Sequence, residues 1–219
     1  MNNEIVLLDY GMGNLRSVAK ALEQVGGRVC LTSTPSVVAK ASKCVLPGVG
    51  AFGDAMKELK KRKLLEPLKE HLASGKPFLG ICLGLQLLFE ESEEGGCHKG
   101  LGIFKGRVVR FNERRILKIP HMGWNQVNGK WKVESGKWKK QCPLLKGIRQ
   151  GSYFYFVHSY YVKPADKGII AATTEYGTEF TSMIWKGNIF ATQFHPEKSQ
   201  ETGLKLLRNF VEYDHSTRN

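Results

Sequence analysis

The stretch Gly80-Ile81-Cys82-Leu83-Gly84 follows the apolar run Pro77-Phe78-Leu79 and leads into Leu85, Leu87, Leu88 and Phe89. A nucleophile with a small residue two places to either side, between a buried strand and a helix, is the pattern of a nucleophile elbow. The glycines allow a sharp turn and leave space around the sulfur. The amide groups that open the next helix favour negative charge beside it, which helps a thiol reach its reactive thiolate form. A buried cysteine that merely packs as a small hydrophobe is the bland alternative.

A thiol nucleophile needs a base, and the base needs a third group to fix its ring. Phe194-His195-Pro196-Glu197 supplies both, at the end of the strand-like run Ile189-Phe190-Ala191-Thr192-Gln193. In extended backbone, residues two apart project to the same side, which puts Glu197 behind the His195 imidazole. The remaining histidines lack this arrangement. His71 and His98 fall in polar stretches, His215 lies in the tail, and His121 and His158 have no acid close in sequence.

The elements that must position these groups alternate in the first half of the chain. Ile5-Val6-Leu7-Leu8 reads as a buried strand, and Leu15, Val18, Ala19, Leu22 and Val25 have helical spacing. Val29 to Thr32 and Lys43 to Leu46 read as short strands. Asp54 to Ser74 reads as a helical region broken at Pro67, and the elbow helix follows Phe78-Leu79. From Gly100 the pattern turns to strands: Gly102 to Phe111, Arg115 to Ile119, Ser152 to Val162, Gly168 to Thr174 and Ser182 to Gln193. Thr202 to Val211 closes the series as an amphipathic helix. The expected fold is α/β, a mostly parallel sheet sandwiched by helices with an antiparallel β extension in the second half, and strand ends carry the chemistry.

With 219 residues, one α/β domain spanning 1–219 is expected. No apolar run approaches the roughly 18 residues of a membrane span, and Met1-Asn2-Asn3-Glu4 lacks the basic start of a secretory leader. The five cysteines have no CxxC spacing. A reducing, cytoplasmic compartment without zinc or structural disulfides is therefore expected. Cys97-His98 has no complementary metal-binding pair and reads as loop.

Gly80-Ile81-Cys82-Leu83-Gly84-Leu85-Gln86 with His195-Pro196-Glu197 resembles the triad signature of class I glutamine amidotransferases, whose fold is flavodoxin-like. Four further segments resemble the glutaminase subunits of imidazole glycerol phosphate synthases within that family. They are Asp9-Tyr10-Gly11-Met12-Gly13-Asn14-Leu15, Leu46-Pro47-Gly48-Val49-Gly50-Ala51-Phe52, Pro120-His121-Met122-Gly123-Trp124-Asn125 and Phe156-Val157-His158-Ser159-Tyr160. The resemblance runs from Glu4 to Val211. It implies a Cys82, His195 and Glu197 triad that hydrolyses glutamine through a thioester, with no cofactor and no metal.

Leu83, the residue after the nucleophile, is placed to offer an oxyanion N–H. The resemblance adds Gly48 and Val49 as the second oxyanion element, although Pro-Gly in isolation more often marks an ordinary turn. It implies Gln86 and Ser159 in glutamine binding, and Glu94 against the substrate's amino group. Glu94 also belongs to the acidic run of Glu90, Glu91, Glu93 and Glu94, a pattern that usually marks a solvated face. The resemblance further implies a (β/α)8-barrel cyclase subunit as heterodimer partner, contacted through Asn14, Trp124 and Lys198. That partner would receive the ammonia and make imidazole glycerol phosphate and a purine precursor in histidine biosynthesis.

Lys and Arg number 33 against 20 Asp and Glu, a net charge of +13. Between Lys99 and Arg149 there are 14 basic residues and only Glu113 and Glu134 as acids, so +12 falls there. Within it, Gly129-Lys130-Trp131-Lys132-Val133-Glu134-Ser135-Gly136-Lys137-Trp138-Lys139-Lys140 interleaves lysine with tryptophan. That composition can bind nucleic acid; a solvated hairpin is the favoured reading, and an acidic partner stands between the two. Two other functions remain open at this stage: the same glutaminase chemistry feeding amidine synthesis on surface-polysaccharide sugars, and a basic RNA-binding module on the same fold.

Overall fold

The computed structural model describes residues 4–112, 118–134 and 137–214, with backbone only for 131–134 and 137–140. Its first half alternates strand and helix: β1 (Glu4–Leu8), α1 (Leu15–Gln24), β2 (Arg28–Thr32), α2 (Pro35–Lys40), β3 (Cys44–Gly48), α3 (Phe52–Lys61), α4 (Leu65–Ala73), β4 (Phe78–Cys82) and α5 (Leu83–Gln86). Strands then dominate: β5 (Phe89–Ser92), β6 (His98–Lys99), β7 (Phe104–Arg110), β8 (His121–Gly129), β9 (Trp131–Glu134), β10 (Lys137–Gln141), β11 (Ser152–His158), β12 (Tyr160–Pro164), β13 (Ile170–Glu175), β14 (Glu179–Lys186) and β15 (Ile189–Thr192). Helix α6 (Gln200–Val211) ends the series.

Strands β2-β1-β3-β4-β15 lie side by side, all parallel. Their near-continuous apolar runs fit burial on both faces. Period-two alternation divides them between two cores. Ile5, Leu7, Val45, Leu79, Ile81 and Phe190 join one, together with Val18 and Leu22 of α1 and Leu207 and Phe210 of α6. Val6, Leu8, Leu46, Phe78 and Ala191 join the other, with Val38 of α2, Phe52 and Leu59 of α3 and Leu68 of α4. The sheet is thus covered by helices on both sides. Truncating a core leucine such as Leu79, fully buried, costs about 2–5 kcal/mol. Beyond β15 the sheet continues antiparallel through β14, β12 and β7, while β13, β8 and β11 extend it from β14.

The break in the second helical region falls earlier than Pro67. Lys63 has φ 58° and separates α3 from α4, and Pro67 sits within the first turn of α4. An N–H there has no intrahelical acceptor, so proline is tolerated. The elbow helix is also shorter than the apolar pattern implies: α5 has four residues and Phe89 already begins a strand.

The acidic run is not simply a solvated face. Glu90 accepts the Gly106 N–H (2.9 Å), Glu93 that of Arg110 (2.6 Å) and Glu94 that of Phe52 (2.8 Å). His71 is fully buried beside Phe78 rather than in polar surroundings, with Nε2 3.2 Å from the Pro77 carbonyl. Within the Lys/Trp segment, β9 and β10 pair antiparallel. The strand expected from Arg115 to Ile119 falls mostly outside the described residues, as does His215. Among the described residues, no helix is long and apolar enough to cross a membrane.

Candidate active site

Three neighbouring parallel strands end at the same level. Gly48 of β3 pairs with Cys82 of β4, and Ile81 pairs with Thr192 of β15, so Gln193 follows one step beyond beside Cys82. Strand ends of this kind are where α/β sheets place ligands. Cys82 itself has φ 54° and ψ −106°, a left-handed conformation that costs a non-glycine residue about 1–3 kcal/mol and must be held by its surroundings. Close packing of the turn does this. A Cβ on Gly84 would lie 2.0 Å from the Leu46 carbonyl oxygen, and one on Gly48 would lie 2.5 Å from the Tyr10 hydroxyl and 2.8 Å from the Leu83 Cβ. The elbow is built by steric exclusion, and the glycines are what allow it.

His195 follows β15 and is held from two sides. Its N–H donates to the Tyr155 carbonyl (2.9 Å). Ser199 Oγ donates to the His195 carbonyl (2.6 Å) and accepts the Tyr155 N–H (3.0 Å). Residues Pro196–Lys198 form a 3-10 turn. Glu197 therefore reaches the imidazole through that turn and not along an extended strand. The contact is short: His195 Nδ1 to Glu197 Oε1 is 2.8 Å, with the two side chains 2% and 1% exposed.

With Nδ1 committed to Glu197, Nε2 is the ring atom left for chemistry. It is buried without a conventional hydrogen-bond partner, and the neighbouring ionisable group is Cys82. Burial opposes charge on His195, but the Cys82 sulfur and Glu197 outweigh it and raise the imidazole to about 10. An imidazolium at neutral pH is the form that stabilises a thiolate and can deliver a proton.

A cavity of about 190 Å³ opens beside the sulfur, lined by Val49, Leu83, Gln86, Glu94, Ser159 and His195 among others. This is below the roughly 300 Å³ of a typical ligand pocket, a size suited to one amino-acid side chain. The structure thus brings together Cys82, His195, Leu83, Val49, Gln86, Glu94 and Ser159, with Glu197 immediately behind His195. Gly48 is not in the cavity wall; it packs under the elbow against Tyr10 and Leu83. Gln86 has its amide nitrogen committed to the Tyr160 carbonyl (3.0 Å) and Gln193 Oε1 (3.2 Å). Glu94 carries a double duty, since the carboxylate that reaches the cavity also caps α3.

Sequence reasoning missed Gln193, Tyr155 and Ser199, and it weighed His158 only as a base. Gln193 lies two residues before His195, and that spacing was the one available signal. His158 lines the same cavity, with Nδ1 2.8 Å from the Tyr160 carbonyl and Nε2 3.0 Å from His121 Nδ1. Burial lowers His158 to about 3 and His121 to about 4.

The matched family model settles the wider assignment: glutamine amidotransferase class-I, over residues 6–213. The chain belongs to the class-I glutamine amidotransferase family. Among its relatives is the imidazole glycerol phosphate synthase subunit HisH of Syntrophotalea carbinolica, 53% identical and aligned over 94% of this chain and 98% of the relative. The protein of the same name from Aquifex aeolicus is 53% identical, aligned over 94% of each. In fold, the chain is similar to a solved structure of PurLQS from Thermotoga maritima, with a TM-score of 0.74 at 18% identity, covering 97% of this chain and 99% of that one.

Two of the three residues expected at a partner contact, Trp124 and Lys198, meet on the Tyr155 ring. Trp124, 46% exposed, lies opposite Tyr155 on the antiparallel pair β8 and β11, with ring centroids 6.1 Å apart. Lys198 Nζ stands 5.7 Å over the same Tyr155 ring. Asn14 starts α1, which packs against the turn that carries Lys198.

Proposed function

We propose that this chain is the glutaminase half of an imidazole glycerol phosphate synthase, working as one domain in the cytoplasm and docked to a (β/α)8-barrel cyclase. The observation that carries the reading is the buried Cys82–His195–Glu197 arrangement with His195 held charged. The relatives' shared name identifies the acceptor chemistry. That name favours histidine biosynthesis over amidine synthesis on polysaccharide sugars, and an intact triad favours an enzyme over an RNA-binding module.

In this reading the Cys82 thiolate attacks the side-chain carboxamide carbon of glutamine. The Leu83 N–H and the Gly48–Val49 turn receive the oxyanion. The His195 imidazolium gives its proton to the amide nitrogen, the C–N bond breaks, and ammonia leaves a γ-glutamyl thioester on Cys82. His195, now neutral, takes a proton from water as that water attacks the thioester. Glutamate leaves, and the thiolate and imidazolium are restored. Gln86, Ser159 and Glu94 hold the substrate, and Glu197 fixes the imidazole and stabilises its charge.

Ammonia released into water would be captured as ammonium, so the site needs a cover. Val157 in the cavity wall shares a sheet face with Met122, Trp124, Tyr153 and Tyr155. Met122 is 61% exposed and Tyr153 55%. This apolar rim, with Lys198 over Tyr155 beside it and Asn14 at the start of the helix that packs on the Lys198 turn, is the surface assigned to the cyclase. The test is glutamine hydrolysis by the chain alone and with the cyclase, across a salt series. Activity is expected to rise steeply on complex formation. If the +12 segment joins the contact, association weakens with salt. Full partner-independent hydrolysis would contradict docking as the means of completing the site.

A further inference from the structure

One backbone carbonyl determines which way the amide of Gln193 points. The Tyr160 oxygen can only accept, and Gln86 lies 3.0 Å from it, so Gln86 must present its NH2 group there. The same Gln86 nitrogen is 3.2 Å from the Gln193 amide, which must answer with its oxygen. The Gln193 NH2 group is then left facing Cys82 Sγ at 3.7 Å. Gln193 is fully buried and its backbone N–H is tied to the Ser182 carbonyl at 2.8 Å. Cys82 is only 7% exposed, so little water reaches it to supply an alternative donor.

Resting on the glutaminase reading, we propose that Gln193 is a further catalytic residue, whose amide donates to the Cys82 thiolate, and that Gln86 is the positioning residue that fixes its orientation. The donor stabilises charge on sulfur before attack and again when the thioester breaks. It also orients the sulfur, while the proton traffic belongs to His195. Other ionisable groups facing the sulfur or sharing its cavity are His195, Tyr10, Glu94, His158 and Tyr160. All of them are retained in the variants below, so a change in behaviour reports the amide.

The experiment follows iodoacetamide alkylation of Cys82 against pH, read by peptide mapping, in the full-length wild type, Gln193→Met and Gln86→Met, each with its fold checked by circular dichroism. Gln193→Met keeps the length and loses the donor. It is expected to slow alkylation at neutral pH about tenfold and to move the half-maximal rate to higher pH, because hydrogen bonds to charged groups are the strong ones. Gln86→Met should shift the profile the same way by less. With the cyclase present, Gln193→Met should lower kcat for glutamine while KM stays nearly constant. Should Gln193→Met not fold, Gln193→Leu replaces it; it is uncharged and likewise has no donor, and a shift in the same direction is expected. An unshifted profile in a folded Gln193 variant overturns the proposal. A shifted profile in a protein that never hydrolyses glutamine supports the thiolate role and overturns the glutaminase reading instead.

Discussion

His195 and His158 line the same cavity, yet their surroundings drive the two imidazoles in opposite directions. His195 rises to about 10 although burial works against its charge, because Cys82 and Glu197 supply negative charge on both sides of the ring. His158 falls to about 3: burial again opposes charge, and its neighbours are the Tyr160 carbonyl and two other histidines. Its tautomer follows from the same logic as the Gln193 amide. Nδ1–H donates to the Tyr160 oxygen, so Nε2 accepts from His121 Nδ1–H, and His121 Nε2 accepts from the Asn125 amide at 3.2 Å. The difference shows that burial alone does not decide a histidine's role. A paired anion turns one imidazole into a proton carrier, and a chain of neutral donors and acceptors turns the other into a strut.

The largest break in that comparison comes from the charged side. His195→Ala removes the proton carrier at the sulfur, and glutamine hydrolysis in the complex should drop by about 10⁴-fold or more. Glu197→Gln keeps the ring and loses the charge that supports it. Its cost should be roughly ten- to a hundredfold smaller, since Glu197 stabilises the imidazolium without itself transferring a proton. Steady-state rates of the two variants check the order. Equal activity in wild type and His195→Ala would remove His195 from the chemistry.

A smaller effect sharpens the neutral side. The folded-state values of His158 and His121, about 3 and about 4, lie below the usual 6.5 of an unfolded histidine. The unfolded chain therefore binds protons more readily as the pH falls. The stability held by these neutral rings is full above pH 6.5 and is lost as the pH drops toward 4. Each ring contributes a slope of at most about 1.4 kcal/mol per pH unit. Urea unfolding of wild type and His158→Gln between pH 7 and 4.5 should show a shallower loss in the variant; parallel curves would contradict the neutral-chain account.

The elbow and the pairing of His195 with Glu197 were legible in the sequence because each rests on short-range spacing between a strand and a turn; that Cys82 and His195 meet was implied by the family resemblance. The parallel half of the sheet was legible for the same reason, since its apolar runs are continuous. Gln193 was not, because its meaning depends on a carbonyl from β12 and an amide from α5, neither near it in sequence. The short α5 escaped notice because Leu85, Leu87, Leu88 and Phe89 are apolar whether they finish a helix or begin β5. The hydrogen bonds of Glu90, Glu93 and Glu94 depend on β7 and α3 being close by, which charge counting cannot show. Strand β8, which carries Trp124, has only partial alternation, broken at Gly123 with φ 128°.

Every step of the proposed chemistry passes through Cys82 as the nucleophile. The complex would be treated with an electrophilic glutamine analogue and digested for peptide mapping. Adduct on Cys82, with Cys30, Cys44, Cys97 and Cys142 spared and labelling slowed by excess glutamine, is the result the account predicts. Adduct on another cysteine, with Cys82 unmodified and hydrolysis abolished, would contradict it.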